Sequence, residues 1–128
     1  MAESPSPSEA LLQQPALFEA HPQPMWVVDV NTLAFLTVNA AATRLYGYSK
    51  DEFLAMTADQ IRPAEDVDDL RRVFAEWSNN VSQRIWRHRK KSGEVITVRV
   101  TSFSLEFRAR RARLATIEEL TGRPIAEE

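Results

Sequence analysis

Residues 84–100 of the chain, RIWRHRKKSGEVITVRV, place two alternating segments on either side of a turn that contains Gly93. Counting outward from this turn pairs Trp86 with Val98 and turns His88 to the same side of a two-stranded antiparallel sheet. Most of the arginines fall on the opposite side, where we expect them to be solvated. The stretch therefore predicts a β-hairpin with one buried face and one basic face.

Two more segments have strand character. Residues 25–38 contain two short apolar runs around a tight turn, and residues 111–118 alternate as a final strand. Between Val100 and Phe103 the apolar positions change from even to odd numbers, so we expect a bulge or bend at residues 101–104. The sequence thus predicts five strands in all.

The segment between the first two strands and the hairpin has the spacing of helices. Asn39, Ser49 and Thr57 are each placed to cap a short helix. Asp66 is placed to cap a longer helix, whose apolar residues recur at helical spacing and form one stripe. The stripe consists of Val67, Leu70, Phe74 and Trp77. We expect this longer helix to pack on the apolar face of the sheet.

The chain of 128 residues is long enough for one domain with short tails. We expect a disordered tail over residues 1–7, a domain over 8–121 that opens with a leading helix at 8–22, and a C-terminal tail or truncated linker at 122–128. Pro15 either interrupts the leading helix or begins it anew. The predicted fold class is α+β, a five-stranded antiparallel sheet with several short helices and one longer helix on one face.

Composition excludes several kinds of protein. The chain has no cysteine, which rules out disulfides, thiolate metal sites and cysteinyl intermediates, and suits a reducing cytoplasm. No apolar run approaches the roughly 20 residues of a membrane-spanning helix, and the start of the chain lacks the order of a signal peptide. We therefore expect a cytoplasmic protein without a membrane segment.

The sequence carries no recognised catalytic arrangement. Neither of its two histidines stands in a nucleophile motif, and no glycine-rich loop is present to hold a phosphate group. The acidic residues within 65–69 fit the first turn of a helix better than a metal site. We expect neither enzymatic activity nor a bound metal.

Basic residues cluster in the C-terminal half of the chain, although the formal net charge is -2. Ten basic and two acidic residues lie between Arg84 and Arg113. This clustering favours, as an alternative function, a basic surface that binds nucleic acid or an acidic protein. The aromatic residues that base stacking requires, Trp86 and Phe107, are assigned to buried positions, so we do not expect nucleic acid as the partner.

Several segments resemble, in order and spacing, the motifs of PAS domains, which are sensory modules of bacterial signal-transduction proteins. They are PMWVVD at residues 24–29, VNAAA at 38–42, YGYSKDEFL at 46–54, IRPAED at 61–66, WRHRKKSGE at 86–94 and ELT at 119–121. The resemblance implies a five-stranded sheet that binds a small ligand or a protein partner. It also implies signalling to an output domain outside this chain, such as a histidine kinase or an enzyme of cyclic-dinucleotide metabolism.

The resemblance further implies a ligand cavity between the sheet and the long helix. Trp86, Phe74 and Val98 are expected to line it, and His88 is expected to point into the same layer. Haem is not expected because the long helix has no histidine to bind the iron, and a cysteinyl flavin has no cysteine to bond. A noncovalent flavin and a small carboxylate stay open as ligands, and an ordinary filled core would use the same side chains. The cofactor is therefore unknown.

The leading helix offers an apolar face, and PAS domains often pair through such a helix, so we predict a homodimer. The residues of this face are Leu11, Leu12, Leu17 and Phe18. The chain departs from the family pattern at two places. Residues 107–110 lack the glycine that is common in the last hairpin turn, and residues 122–124 interrupt the helix that commonly leads to the output domain.

Overall fold

The computed structural model describes residues 10, 12–75 and 81–120. Its helices are Pro15–Ala20 (α1), Ala40–Tyr46 (α2), Lys50–Leu54 (α3) and Val67–Ala75 (α4), with 3-10 turns at Ala58–Ile61 and Ala64–Asp66. Its strands are Met25–Asp29 (β1), Phe35–Val38 (β2), Ser82–Arg89 (β3), Val95–Phe107 (β4) and Arg110–Glu119 (β5). The predicted tails at residues 1–7 and 122–128, together with Leu11 and Trp77, lie outside the described residues.

The five strands form one antiparallel sheet in the order β2-β1-β5-β4-β3. Strand β5 is therefore central, with β1 on one side and β4 on the other. In the β3–β4 hairpin Trp86 pairs with Val98 and His88 pairs with Ile96. The predicted α+β class and the predicted register of the hairpin are confirmed.

The helix starts follow the capping residues of the sequence. Asn39 accepts a hydrogen bond from a backbone N–H of α2 at 3.1 Å, and Ser49 forms a capping box with Glu52 at the start of α3. Helix α1 begins at Pro15, a residue whose fixed φ suits the first helical position. Asp66 is the last residue of the second 3-10 turn, which runs directly into α4. The segment before the hairpin is helical, as its spacing predicted.

One face of the sheet is covered by α2, α3, α4 and the first 3-10 turn, and we call this layer the inner cluster. Its larger members are Trp26, Val28, Phe35, Tyr46, Phe53, Ile61, Leu70, Trp86, Ile96, Val98, Val100 and Ile117. Even-numbered residues of β3 and of the first half of β4 point into it. This layer is the main hydrophobic core.

The opposite face of the sheet carries a second apolar layer, which we call the outer cluster. Its buried members are Phe18, Met25, Val27, Leu105, Ala112 and Leu114. Helix α1 covers this layer through Phe18, and Phe103 and Phe107 pack at its margin. Where α1 covers it, the sheet is thus buried on both faces.

The predicted bulge or bend at residues 101–104 is wrong. Strand β4 pairs with β5 from Val98 to Phe107 without a register shift. The apolar positions change parity because β4 passes from the inner cluster, which takes Val100, to the outer cluster, which takes Leu105. A regular strand buries both sets, since successive side chains already point to opposite faces.

The predicted dimer face on the leading helix requires a correction at Phe18. This side chain is 5% exposed because it fills the outer cluster of its own chain, so it is not available to a partner. Leu12 is half-buried against the same cluster, whereas Leu17 is 52% exposed. Among the described residues of the predicted face, Leu17 is the exposed one.

Candidate functional site

A small cavity lies between α4 and the part of the sheet that is far from the β3–β4 turn. Its volume is about 30 Å³, which is room for about two water molecules. Trp86 and Phe74 both line it, as the sequence predicted, and much of the remaining wall is apolar, with Leu70 and Val100 among its residues. The cavity therefore suits a small ligand, and a noncovalent flavin with its three fused rings does not fit it.

The other two predicted ligand residues do not border this cavity. Val98 and His88 are fully buried in the layer nearer the β3–β4 turn. His88 lies against Tyr46, with the Tyr46 hydroxyl 2.6 Å from the His88 Nδ1 atom. The prediction that Val98 and His88 line the cavity is wrong, because the cavity lies at the end of the hairpin away from the β3–β4 turn.

Arg62, which follows the first 3-10 turn, is a buried cation in the cavity wall. It is 6% exposed, and its Nη1 donates to the Ala58 carbonyl at 2.6 Å. Its guanidinium lies over the Trp86 ring, 5.0 Å from the centroid, and its Nε has no hydrogen-bond partner among the described residues. Burial lowers the pKa of Arg62 to about 10, so the group is still charged at neutral pH.

Arg113 contributes a second buried guanidinium from the central strand β5. It is 4% exposed, with Nη2 donating to the Ser102 hydroxyl at 2.8 Å and Nη1 to the Ser104 hydroxyl at 3.1 Å. It also lies 6.0 Å from the centroid of the Phe74 ring. Burial lowers the pKa of Arg113 as well. Its acceptors are neutral hydroxyls, so they hold the group without cancelling its charge.

Arg84 on β3 is the third arginine of the wall. Its side chain is exposed, and its guanidinium lies 5.9 Å from the centroid of the Trp86 ring. Among the residues that the structure describes, the cavity lining therefore contains three arginines and no acidic residue. The sequence reasoning missed Arg62 and Arg113, although Arg113 shares its side of β5 with the apolar Ala115 and Ile117, which is a signal that its side chain is buried.

His88 and Tyr46 form a buried polar pair beside the cavity. Burial lowers the pKa of His88 well below 6.5, with a further contribution from the charge of Arg62, and burial also raises the pKa of Tyr46. Both side chains are therefore neutral at neutral pH. Within the part of the chain that the structure describes, the His88 Nε2 atom has no hydrogen-bond partner. This pair is a polar element of the inner cluster.

Much of the basic surface is paired with carboxylates of the same chain. Arg87 pairs with Asp66 at 2.9 Å, and the other such pairs are Lys91 with Glu52, Arg99 with Glu118, and Arg110 with Asp29. These ion pairs reduce the positive charge that the surface offers to nucleic acid or an acidic protein. Binding of such a partner by the basic surface stays a prediction. In the described part of the chain no cluster of histidine and acidic residues is arranged to hold a metal ion.

Three comparisons place this geometry among known proteins. A family model described as the PAS fold matches residues 35–114. Among solved structures, the PAS domain of an HTR-like protein from Haloarcula marismortui superposes with a TM-score of 0.76 at 19% identity, over 88% of this chain and 93% of that chain. No curated protein matches the chain.

Two further structures have the same architecture. A PAS domain from a two-component sensor histidine kinase gives a TM-score of 0.71 at 23% identity, over 88% of this chain and 98% of that chain. The LOV protein of Rhodobacter sphaeroides gives 0.71 at 15% identity, over 91% of this chain and 70% of that chain. At such identities the likeness concerns the fold. None of the helices described in this chain has the length and apolar character needed to cross a membrane.

Proposed function

This chain belongs to the PAS fold family, and on that premise we propose that it is a sensory module that binds a small ligand in the arginine-lined cavity and passes a conformational signal to an output domain outside the chain. The observation that carries the proposal is the cavity itself, which lies between α4 and the sheet and is lined by Trp86 and Phe74. A ligand held there contacts two elements of the fold at once.

The position of the cavity supports a route for the signal. Phe74 belongs to α4, whereas Arg113 and Ala115 belong to the central strand β5, whose last residue is Glu119. A ligand that binds more tightly to one packing of α4 on β5 shifts the population toward that packing. Because β5 leads directly to the C-terminal segment, the shift reaches the end of the domain that would adjoin an output domain.

The family resemblance supports an assignment of the module to a kind of protein. We assign the module to the N-terminal region of a bacterial signal-transduction regulator, either a histidine kinase or an enzyme that makes or degrades cyclic dinucleotides. The module itself is assigned no catalytic role. A chain without cysteine suits the reducing cytoplasm, where we place it.

Hydrogen exchange with and without the small-molecule fraction of a bacterial extract tests ligand sensing. We expect exchange of the α4 and β5 amides to slow in the wild-type protein. Ala115→Leu fills the cavity from β5 and should abolish the effect, whereas Val95→Ala, on the exposed face of β4, should keep it. Unchanged exchange in the wild-type protein, or equal protection in Ala115→Leu, would overturn the proposal.

The homodimer is the second part of the proposal, and the exposed Leu17 on α1 supports it. Light scattering at micromolar concentration should show a dimer for the wild-type protein and a monomer for Leu17→Glu. Leu54→Glu introduces the same charge at another exposed leucine, 42% exposed at the end of α3, and should leave the dimer intact. A monomeric wild-type protein would refute the dimer and leave ligand binding unaffected.

A further inference from the structure

We infer that the ligand of the cavity is a small monocarboxylate, of the size of acetate or propionate, whose oxygens accept hydrogen bonds from the buried arginines. This inference rests on the proposed function and names the class of its ligand. It follows from the charge of the cavity wall, from the N–H donors that the buried guanidinium groups keep, and from the size of the cavity.

The charge of the cavity wall is unbalanced. Among the described residues, the wall carries Arg62, Arg84 and Arg113 and no carboxylate. None of the ion pairs among the described residues includes any of these three. Removing a cation from water is costly unless an anion compensates it. Asp59 and Asp66 stabilise the charge of Arg62 without forming an ion pair with it. A bound anion would supply the direct pairing that the described part of the chain does not.

A comparison with the other arginines sharpens this point. Arg87, Arg99 and Arg110 have side chains that are 47%, 39% and 56% exposed, and each lies within 3 Å of a carboxylate oxygen. The two most buried arginines, Arg62 and Arg113, are instead held by a carbonyl and by hydroxyls. The arginines that most need an anionic partner are therefore those without one in the described structure.

The guanidinium groups keep N–H donors along their edges. Arg62 stacks on Trp86 and Arg113 lies near the face of Phe74, so the aromatic rings occupy the flat sides of these groups. The Nε of Arg62 has no hydrogen-bond partner among the described residues. Arg113 directs its Nε and one N–H of each Nη to Ser102 and Ser104, which leaves a second N–H on each Nη. A planar carboxylate accepts from such edges, often with both oxygens.

The cavity is small and partly apolar. A volume of about 30 Å³ is room for about two water molecules, which is the space that the two oxygens of a carboxylate head need. Leu70, Val100 and Trp86 give part of the wall an apolar surface that suits a short hydrocarbon tail. A carboxylate with one or two carbons beyond its head meets both requirements when the head fills the cavity and the tail extends along these side chains toward the exposed Arg84, whereas inorganic phosphate has no apolar part.

The test is isothermal titration of the whole protein with sodium propionate and, separately, with propionamide, at constant ionic strength. The two molecules have nearly the same shape and differ in charge. We expect propionate to bind at least about tenfold more tightly, the difference that a charge-assisted hydrogen bond provides. Comparable affinity for the two would overturn the inference while leaving a ligand-binding cavity in place.

Variants locate the binding in the cavity. Arg113→Met should lower the affinity for propionate by about tenfold or more. That change also removes the hydrogen bonds to Ser102 and Ser104, so a second variant at an exposed position of the same wall separates binding from folding. Arg84→Met should give a smaller loss of affinity in a protein with an unchanged fold. Arg72→Met, at an exposed arginine that pairs with Asp69 outside the wall, should bind propionate as the wild type does.

The outcomes separate this inference from the proposed function. No propionate binding at high millimolar concentration, combined with slowed exchange in the bacterial extract, would reject the carboxylate and retain the sensor. An equal loss of affinity in Arg84→Met and Arg72→Met would show that propionate responds only to general surface charge, which also rejects the inference. No response to either propionate or the extract would reject both.

Discussion

The two faces of the sheet are both buried, yet they are built differently. The outer cluster consists of apolar side chains such as Phe18, Leu105 and Leu114, and α1 closes it. The inner layer contains, beside its apolar core, the buried polar groups of Arg62 and His88, each with one nitrogen that has no partner among the described residues. Buried polar groups without partners lower stability. The contrast agrees with the proposed function, in which the outer face serves folding and the inner face also serves binding.

The largest effect is expected from a change in the outer cluster. Leu114→Ala removes a side chain that is fully buried between β5 and α1, and we expect the free energy of unfolding to fall by about 3 kcal/mol. Urea unfolding measures this loss. The affinity for propionate, measured under native conditions, should stay the same. A loss of affinity comparable with that of Arg113→Met would remove the distinction between the two faces.

The inner face should respond to pH through His88. Burial lowers the folded-state pKa of His88 below 6.5, so as the pH falls below 6.5 the unfolded chain takes up the proton first and stability drops. The equilibrium constant for folding falls by at most about tenfold per pH unit. The fall ends once the pH is below the folded-state pKa of His88. His88→Gln should weaken this dependence in urea unfolding between neutral and mildly acidic pH.

The second histidine of the chain provides the control for this experiment. His21 is only partly buried and accepts a hydrogen bond from the Gln23 N–H through Nδ1. His21→Gln should therefore keep the pH dependence of the wild type. If His21→Gln removed the acid loss and His88→Gln did not, the assignment of the pH response to the inner face would be wrong.

A smaller effect is expected in the turn that joins β4 and β5 beside the outer cluster. Arg108 and Ala109 have φ values of 53° and 64°, in the left-handed region that favours glycine. Ala109→Gly should raise the free energy of unfolding by about 1 kcal/mol, because the strain of an L-residue there is relieved. Ala64→Gly, at an exposed alanine without positive φ, should lower it. A destabilised Ala109→Gly protein would contradict this account.

The smallest effect is expected at an exposed ion pair. Arg87→Gln removes the contacts to Asp66 and Glu65, which are accessible to water and screened by salt. We expect the urea midpoint to stay within the error of measurement at physiological ionic strength, and propionate binding to be unchanged. A large loss of stability would show that surface arginines of this chain matter as much as the buried ones.

The sequence predicted most of the architecture because that information is local. The pairing of Trp86 with Val98 follows from counting outward from a short turn, and the caps at Asn39 and Ser49 follow from side chains that bond their own neighbours. The parity change along β4 was noticed in the sequence and given the wrong cause. A bend and a second covered face produce the same pattern in the sequence, and the unbroken β4–β5 register together with the position of Phe18 distinguishes them.

The candidate site was predicted in part. Trp86 and Phe74 were found because their apolar spacing places them on facing elements. Arg62 and Arg113 were missed because a charged residue in a sequence is first expected in water. Their burial depends on contacts between distant segments, with Arg62 over Trp86 and Arg113 against Ser102 and Ser104.

The sequence by itself determined the strands, the helices, the register of the hairpin and the resemblance to PAS domains, since each depends on residues that are near one another along the chain. The tertiary structure alone decided that α1 closes the outer face, that the cavity lies at the far end of the hairpin and that the described part of its wall carries three arginines without an acidic residue. The physical reason is that burial and charge balance are properties of the space between elements. That space exists only once the elements have packed.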